Sequence, residues 1–263
     1  MPIPPTSTSK YGFWALNGLL GLAFVAEFFV PPSVALDGLL IVLAAGASVV
    51  GHDRQLPLQN ALSAALICAA VGGLAHGLSA QRDLALPFGP VLFNRAAGWK
   101  ILNFVPWTIP LLWIIALFNA RGLARLILRP WRKIKTYGFW LIGLTAVLAM
   151  AFDLALEPYA WHVKNFWLWQ PTKLPLTWQG ATLLNFLGWV CVSLLILVFI
   201  TPLLIRKQPG QRSTPNLHPL ILWLGALGLF AAGSAGAGLW WPVGVDAALA
   251  AVTGWLAIRG AKW

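Results

Sequence analysis

Two carboxylates stand at the end of a long apolar run, four positions apart, in the segment "AFDLALEPYAWHVKNFWLWQ" from Ala151 to Gln170. On a helix, residues at this spacing share one face, with Cβ atoms about 6 Å apart. An ionisable side chain within a membrane span costs about 2.5–3.5 kcal/mol to insert, so Asp153 and Glu157 are candidates for function. A carboxyl group in an apolar setting retains its proton more readily, and a second carboxylate nearby strengthens this effect. A proton held in this way is what a general acid requires.

An internal repeat supplies a third candidate acid. The segments "KYGFWALNGLLGLAFVAEFF" and "KTYGFWLIGLTAVLAMAFD" share the word YGFW, and in each an acid follows the tyrosine by sixteen residues. Glu27 therefore corresponds to Asp153, and we predict two halves, 10–124 and 135–258, that run in the same direction through the membrane. The alternative for both acids is a structural role, either a hydrogen bond between helices or a position close enough to the interface to reach water.

Aromatic and polar residues complete the candidate site. Trp161, Trp167 and Trp169 crowd into the segment that follows Glu157. Tryptophans of this kind usually form a belt at the membrane interface, but aromatic faces also stabilise a carbocation, which suits acid-initiated chemistry on an alkene. A lone histidine on an apolar helix is more often a packed residue than a functional one. The candidates for placing substrate or water are His76, Asp83, Asn94 and Asn185.

The chain that must position these residues is predicted to be a polytopic membrane protein. Its mean hydropathy is +0.76 and only 10% of its 263 residues are charged, which no ordinary soluble domain matches. We therefore predict an all-α fold, a single transmembrane helical bundle over residues 1–263. Eight apolar runs approach bilayer length: Tyr11–Val30, Val34–Val50, Leu58–Ala80, Phe104–Ala120, Tyr137–Leu156, Gly180–Ile205, Leu217–Gly236 and Leu239–Ile258.

The net charge of +11 indicates membrane topology rather than nucleic-acid binding, because the cations flank apolar runs. Most of the 18 basic residues fall in the two tails and in the second, fourth and sixth loops, which predicts cytoplasmic termini in a bacterial inner membrane. The run "RGLARLILRPWRKIK" is the predicted cytoplasmic anchor, in contact with membrane lipid. The acids map to the opposite side, where we therefore expect the chemistry: Glu27, Asp37, Asp83, Asp153, Glu157 and Asp246.

Several kinds of site have no support in the sequence. The four histidines are scattered without HxxxH spacing, which argues against a membrane di-iron enzyme. There is no GxGxxG, P-loop or GxSxG motif. Cys68 and Cys191 lie in apolar runs without CxxC or Cys/His spacing, so neither a disulfide framework nor a zinc site is indicated. We predict no metal and no cofactor.

Three segments of the central chain resemble one known family. The segments "LPFGPVLFN…VPWTIPLLW", "FDLALEP…NFWLW" and "LPLTWQGATLLNFLGW" resemble, in order and spacing, the membrane carotenoid biosynthesis family that includes the CruF-type carotenoid 1,2-hydratases. The resemblance runs roughly from Gly73 to Pro202. It implies addition of water to the terminal C1=C2 bond of an acyclic carotenoid, lycopene-like or γ-carotene-like, without a redox cofactor. Other carotenoid pathway enzymes are then expected partners.

On this interpretation Asp153 donates the proton, Glu157 or Glu27 tunes it or activates water, and Asn185 and His76 position water. The same segments distantly resemble membrane lycopene cyclases, in which an acid pair follows the W-x-W. This chain has "LPLTWQ" there and lacks the pair. Two further alternatives are an intramembrane prenyltransferase, which would need a second acid-rich motif for Mg²⁺, and a pigment- or lipid-binding scaffold.

Overall fold

The computed structural model describes residues 10–31, 33–53, 56–81, 84–173, 176–205 and 215–263. Within these ranges the chain is all-α, with eight helices long and apolar enough to cross a membrane. The predicted fold class and number of helices are therefore confirmed. The helices are α1 (Lys10–Phe29), α2 (Val34–Asp53), α3 (Leu58–Ser79), α4 (Thr108–Ile127), α5 (Tyr137–Pro158), α6 (Leu183–Ile200), α7 (His218–Gly236) and α8 (Trp240–Ala261).

Helix α4 departs most from its predicted range of Phe104–Ala120. It begins four residues later, at Thr108, because the chain before it folds back on itself as a short hairpin. It also continues to Ile127, since "RGLARLI" extends the helix, and Arg121 is only 2% exposed. Part of the predicted cytoplasmic anchor is thus a buried segment of helix.

Short strands form in the long connections at one end of the bundle. Within the described ranges they pair as three antiparallel two-stranded sheets, β1 with β4, β2 with β3 and β5 with β6. Strand β1 lies in the connection between α3 and α4, and β4 lies in the connection between α5 and α6. Because these two strands pair, both connections lie at the same end of the bundle. The strands are β1 (Val91–Phe93), β2 (Lys100–Ile101), β3 (Val105–Pro106), β4 (Trp167–Trp169), β5 (Thr177–Trp178) and β6 (Ala181–Thr182).

The start of α6 is set by the β5–β6 hairpin rather than by hydropathy. We predicted Gly180 as its first residue, but Gln179 and Gly180 have φ angles of +49° and +96° and close the hairpin. Positive φ at both central residues suits the twist of a tight hairpin, and a right-handed helix cannot contain them. Helix α6 therefore begins at Leu183 and ends at Ile200, before the predicted Ile205.

Helix α4 forms the centre of the bundle, packed against α2, α3, α5, α7 and α8. Small residues allow this close approach, as is usual between helices in membranes. A Cβ atom on Gly72 of α3 would collide with the Trp113 ring on α4, and one on Gly260 of α8 would collide with the carbonyl oxygen of Leu126.

The helices run alternately up and down, which gives the bundle two chemically different ends. The end that holds the β-strands also holds most of the acids, among them Glu27, Asp153 and Glu157, and is called the acidic end below. The other end, called the basic end, holds the cluster of arginines between Arg121 and Arg132. Helices α1 and α5 both run towards the acidic end, as two parallel halves require. The repeat itself stays a prediction.

We expect cysteines introduced at Arg95 and Lys173 to react with a membrane-impermeant maleimide from the same side of the membrane. Both residues are exposed, and they lie in the two connections that β1 and β4 join. The labelling is best done in a variant without Cys68 and Cys191, with a cysteine near Arg259 at the basic end as the opposite-side control. Labelling of the first two sites from opposite sides would contradict this arrangement.

Candidate active site

Asp153 and Glu157 form a buried carboxyl pair near the acidic end of α5. Each is only 1% exposed, and Asn185 beside them is fully buried. The Asn185 amide nitrogen donates to both acids, 2.6 Å to Asp153 Oδ2 and 3.1 Å to Glu157 Oε1. The two carboxyl groups lie one turn apart on α5, so each is within the electrostatic field of the other. A single amide thus bridges two acids on adjacent turns of one helix, across the α5–α6 contact.

Two tryptophan N–H groups complete the hydrogen bonding of Glu157. Trp167 Nε1 and Trp169 Nε1 lie 3.0 Å and 2.8 Å from Glu157 Oε2. Both residues belong to β4, where alternate side chains point to the same face, so the W-x-W spacing aims both indoles at one carboxylate. They are buried hydrogen-bond donors, whereas the sequence suggested an interfacial belt or an aromatic wall.

The β4 strand is held in place by its partner and by the turn that precedes it. Phe93 and Val91 of β1 lie opposite Trp167 and Trp169. Pro158 has no N–H to continue an α-helix, and the chain leaves α5 through a single π-helical turn, Tyr159–Val163. The chain therefore returns over the end of α5, which brings the tryptophans back to Glu157.

One buried polar atom of Asn185 has no hydrogen-bond partner within the described residues. Asn185 lies in the first turn of α6, so its position at the acidic end follows from the hairpin that starts the helix. Its Oδ1 atom has no hydrogen-bond partner within the described chain. Because an unpaired buried carbonyl costs about 1–3 kcal/mol, this atom is a natural acceptor for a water molecule or an acid proton.

His76 lies in an aromatic box rather than in the carboxyl pair. Trp113 Nε1 donates to His76 Nδ1 at 3.1 Å, and the imidazole centroid is 4.1 Å from the Phe88 ring. Trp113 in turn stacks on Trp189, with centroids 3.9 Å apart and planes at 14°. The histidine is 6% exposed and is enclosed by rings between α3, α4 and α6.

Glu27 lies in a second polar cluster with Lys164 and Asp37. The ammonium group of Lys164 lies 2.6 Å from Glu27 Oε2 and 2.6 Å from Asp37 Oδ1. Burial alone would lower the pKa of Lys164, but the hydrogen bonds to Asp37 and Glu27 outweigh it and hold the pKa above its ordinary value. The repeat paired Glu27 with Asp153 in sequence, but the structure ties it instead to a lysine that follows α5.

We expect Lys164→Met to destabilise the fold by about 3 kcal/mol, because removing one partner leaves two buried carboxylates without a cation. The apparent Tm of the purified protein in neutral detergent measures this effect. Lys173→Met is the control, since Lys173 is exposed in the same connection. Adding Glu27→Gln to Lys164→Met should recover part of the loss. A Lys164→Met protein as stable as the wild type would show that the cluster contributes nothing.

Asn94 and Trp161, two further sequence candidates, make their contacts with residues other than the carboxyl pair. Asn94 Nδ2 donates to the backbone oxygen and the side-chain oxygen of Asn165, which fastens the α3–α4 connection to the α5–α6 connection. The Trp161 ring covers Gly180, where a Cβ atom would come within 2.6 Å of it, and stacks on His162. Asp83 lies outside the described residues.

A cavity of about 970 Å³ lies between α1, α2, α4, α5 and α7. Along α7 it extends from His218 to Phe230, a rise of about 18 Å. Its walls are mainly apolar. Its polar side chains include Asp37 at the acidic end, the hydrogen-bonded pair Ser48 and Asn119 further along, and Asn17, Asn216 and His218 nearer the basic end. The shape and lining suit an elongated apolar ligand.

The carboxyl pair lies next to this cavity but does not line it. Phe152, Leu156 and Tyr159 form the α5 wall of the cavity, and each stands one or two positions from Asp153 or Glu157. The acids face α6 and β4 on the neighbouring side of α5. The side chains that line this wall, Leu156 among them, therefore stand between a ligand in the cavity and the acids.

Sequence reasoning missed Lys164, Trp113 and Trp189, and it named Asp37 only as one of the acids at this end. Lys164 pairs with acids of α1 and α2 rather than with the acids that precede it in the chain, so its local sequence gives no signal for these ion pairs. The contacts of Trp113 and Trp189 join residues on different helices. No local pattern could have shown them.

A model of the family described as carotenoid biosynthesis protein matches residues 35–253. The matched segment contains the carboxyl pair, its three hydrogen-bond donors, Lys164 and Asp37, whereas Glu27 lies before it. No curated protein and no solved structure matches the chain.

Proposed function

The chain belongs to the carotenoid biosynthesis protein family, and on this premise we propose that it is an enzyme that adds water to the terminal C1=C2 bond of an acyclic carotenoid. The substrate class is a lycopene-like or γ-carotene-like end group. The eight apolar helices make it an integral membrane protein, so this substrate reaches it within the bilayer. We assign the basic end to the cytoplasm and the membrane to a bacterial inner membrane, from the bias of the basic residues.

The observation that carries the proposal is the unequal hydrogen bonding of the carboxyl pair. Glu157 accepts three N–H bonds, from Trp167, Trp169 and Asn185, whereas Asp153 accepts the Asn185 bond and has the Trp189 indole as one further nearby donor. Hydrogen bonds to the charged form of an acid stabilise that form. The arrangement therefore favours a negative charge on Glu157 and a proton on Asp153, which is the pairing that acid-initiated chemistry needs.

Each carboxyl group of the second polar cluster, Glu27 and Asp37, already holds the Lys164 ammonium group in an ion pair. We therefore keep Asp153 as the proton donor. Glu27 acts in this scheme by holding Lys164 at the acidic end of the cavity.

The proposed reaction begins with transfer of the Asp153 proton to C2 of the terminal alkene, which leaves a tertiary cation at C1. A water molecule then forms a C1–O bond and loses one proton to the carboxyl pair, which restores the starting protonation state. In this scheme the unpaired Asn185 Oδ1 holds this water, and the rings of Trp167 and Trp169 stabilise the cation. The net change is the addition of one water.

The cavity is the proposed site for the rest of the polyene. Its apolar walls suit a long hydrocarbon, and the reacting end would pass Leu156 and Phe166 to meet Asp153. Because these side chains cover the carboxyl pair, they keep bulk water away from the two acids, so that one water can be admitted at a time.

The proposal is tested by extracting pigments from a lycopene-producing host with and without this chain. The expected product is more polar than lycopene and keeps its long-wavelength absorption, because the terminal alkene lies outside the conjugated system. No new pigment, in a host whose membranes contain the folded protein, would contradict hydration of lycopene.

A further inference from the structure

Four arginines line a second cavity at the basic end of the bundle. This cavity, of about 310 Å³, is bounded by Arg121, Arg125, Arg129 and Arg132 together with residues of α2 and α5. Arg121 and Arg125 lie one turn apart on α4, and Arg129 follows one turn further along the chain, so the guanidinium groups converge on one side. Pocket volumes in this range are typical of small-molecule sites.

Arg121 is the most unusual of the four. It is 2% exposed, and its Nη1 atom has no hydrogen-bond partner within the described residues. A buried guanidinium nitrogen without a hydrogen-bond partner is costly, more so inside a membrane-spanning helix. A topology signal needs only exposed cations in a loop, so topology does not account for a buried arginine that faces a cavity.

The charges around this cavity do not balance. Of the seven acids in the sequence, only Asp53 belongs to this end by its place in the chain, and its side chain lies outside the described residues. One carboxylate cannot neutralise four guanidinium groups. The cavity therefore carries an excess of positive charge whatever Asp53 contacts.

We propose that this cavity binds a phosphate-bearing anion, with Arg121 at its base. Guanidinium groups bind phosphate oxygens through paired hydrogen bonds, and four of them can surround a single phosphate. The phosphate can belong to the headgroup of an anionic phospholipid or to a soluble phosphate compound. The cavity adjoins the larger apolar cavity at Asn216, which lines both.

The test uses the purified full chain in dodecyl maltoside, a neutral detergent. Phosphatidylglycerol, phosphatidylcholine with the same acyl chains, and sodium diphosphate are titrated separately. Bound ligand is counted by native mass spectrometry, and the apparent Tm is followed in parallel. Saturable binding of phosphatidylglycerol alone identifies a lipid headgroup site, and saturable binding of diphosphate identifies a site open to soluble anions.

Arg121→Gln should weaken the binding of whichever anion saturates by at least about tenfold, since each hydrogen bond between charged groups contributes strongly. Arg259→Gln is the matched control, because Arg259 is an exposed arginine at the same end whose guanidinium packs over the Trp255 ring outside the cavity. If the Arg121→Gln protein does not fold, Arg132→Gln replaces it as the test variant, because Arg132 lines the cavity but is exposed. Arg132→Gln should weaken binding several-fold.

Equal binding by the wild type and both cavity variants would overturn the proposal. So would phosphatidylcholine binding as tightly as phosphatidylglycerol without any binding of diphosphate, because the acyl chains would then explain the affinity. Failure of all three probes to saturate the wild type would overturn it as well.

Discussion

Asp153→Asn is expected to abolish product formation while the protein still inserts and folds. The amide keeps the size of the side chain and can still accept a hydrogen bond from Asn185, but it has no acidic proton to transfer. General acid catalysis contributes a factor of about 10²–10⁴ to a rate, so turnover should fall at least about a hundredfold. Product formed per folded protein, measured in membranes from a lycopene-producing host, gives this ratio.

Asp246→Asn is the matched control, because it makes the same change at another buried acid, on α8. Its carboxyl oxygens have no hydrogen-bond partner within the described residues, and activity should be retained. Glu157→Gln should also reduce turnover, though less completely, since Glu157 balances charge rather than supplying the first proton. Wild-type turnover in the Asp153→Asn protein would move the proton donor to Glu157 or Glu27.

Gly225→Leu is expected to block the substrate, because Gly225 of α7 lines the large cavity and no neighbouring atom lies within 4 Å of the position that a Cβ atom would occupy there. A side chain at this position therefore begins in open space beside the cavity. Leucine also favours a helix more than glycine does, so the fold should not be weakened. Product formation should fall at least about tenfold if the polyene lies there, mainly through a higher KM.

Gly228→Leu is the control for this substitution. It lies on the same helix and also has open space at its Cβ position, but it is exposed on the outside of the bundle and does not line the cavity. Its activity and stability should match those of the wild type. If Gly225→Leu were equally active, the polyene would have to bind elsewhere.

The helices could be predicted from the sequence because each apolar run has to satisfy its own backbone hydrogen bonds within a bilayer. The boundaries that failed, at the starts of α4 and α6, depend on hairpins whose turns have positive φ angles, at Leu102 and Asn103 and at Gln179 and Gly180. Hydropathy carries no information about such turns. It therefore assigned the second strand of each hairpin to the helix that follows it.

The pairing within the candidate site was only partly predictable. The Asp153–Glu157 contact follows from helical spacing, and the alternating tryptophans of β4 share a face for the same kind of local reason. The partner of Glu27 could not be predicted from local spacing, since Lys164 lies 137 residues further along the chain. The bridging role of Asn185 depends likewise on the contact between α5 and α6.

The origin of the oxygen atom in the product tests the central claim most directly. In a lycopene-producing host grown in water enriched in ¹⁸O, the chain should yield a pigment heavier than its substrate by one water per modified end, with the label in the new hydroxyl group. Both hydration and cyclisation begin with the same protonation, and they differ only in whether water or an internal alkene captures the cation. A less polar product isomeric with lycopene, carrying a ring and no label, would contradict the account and indicate a cyclase.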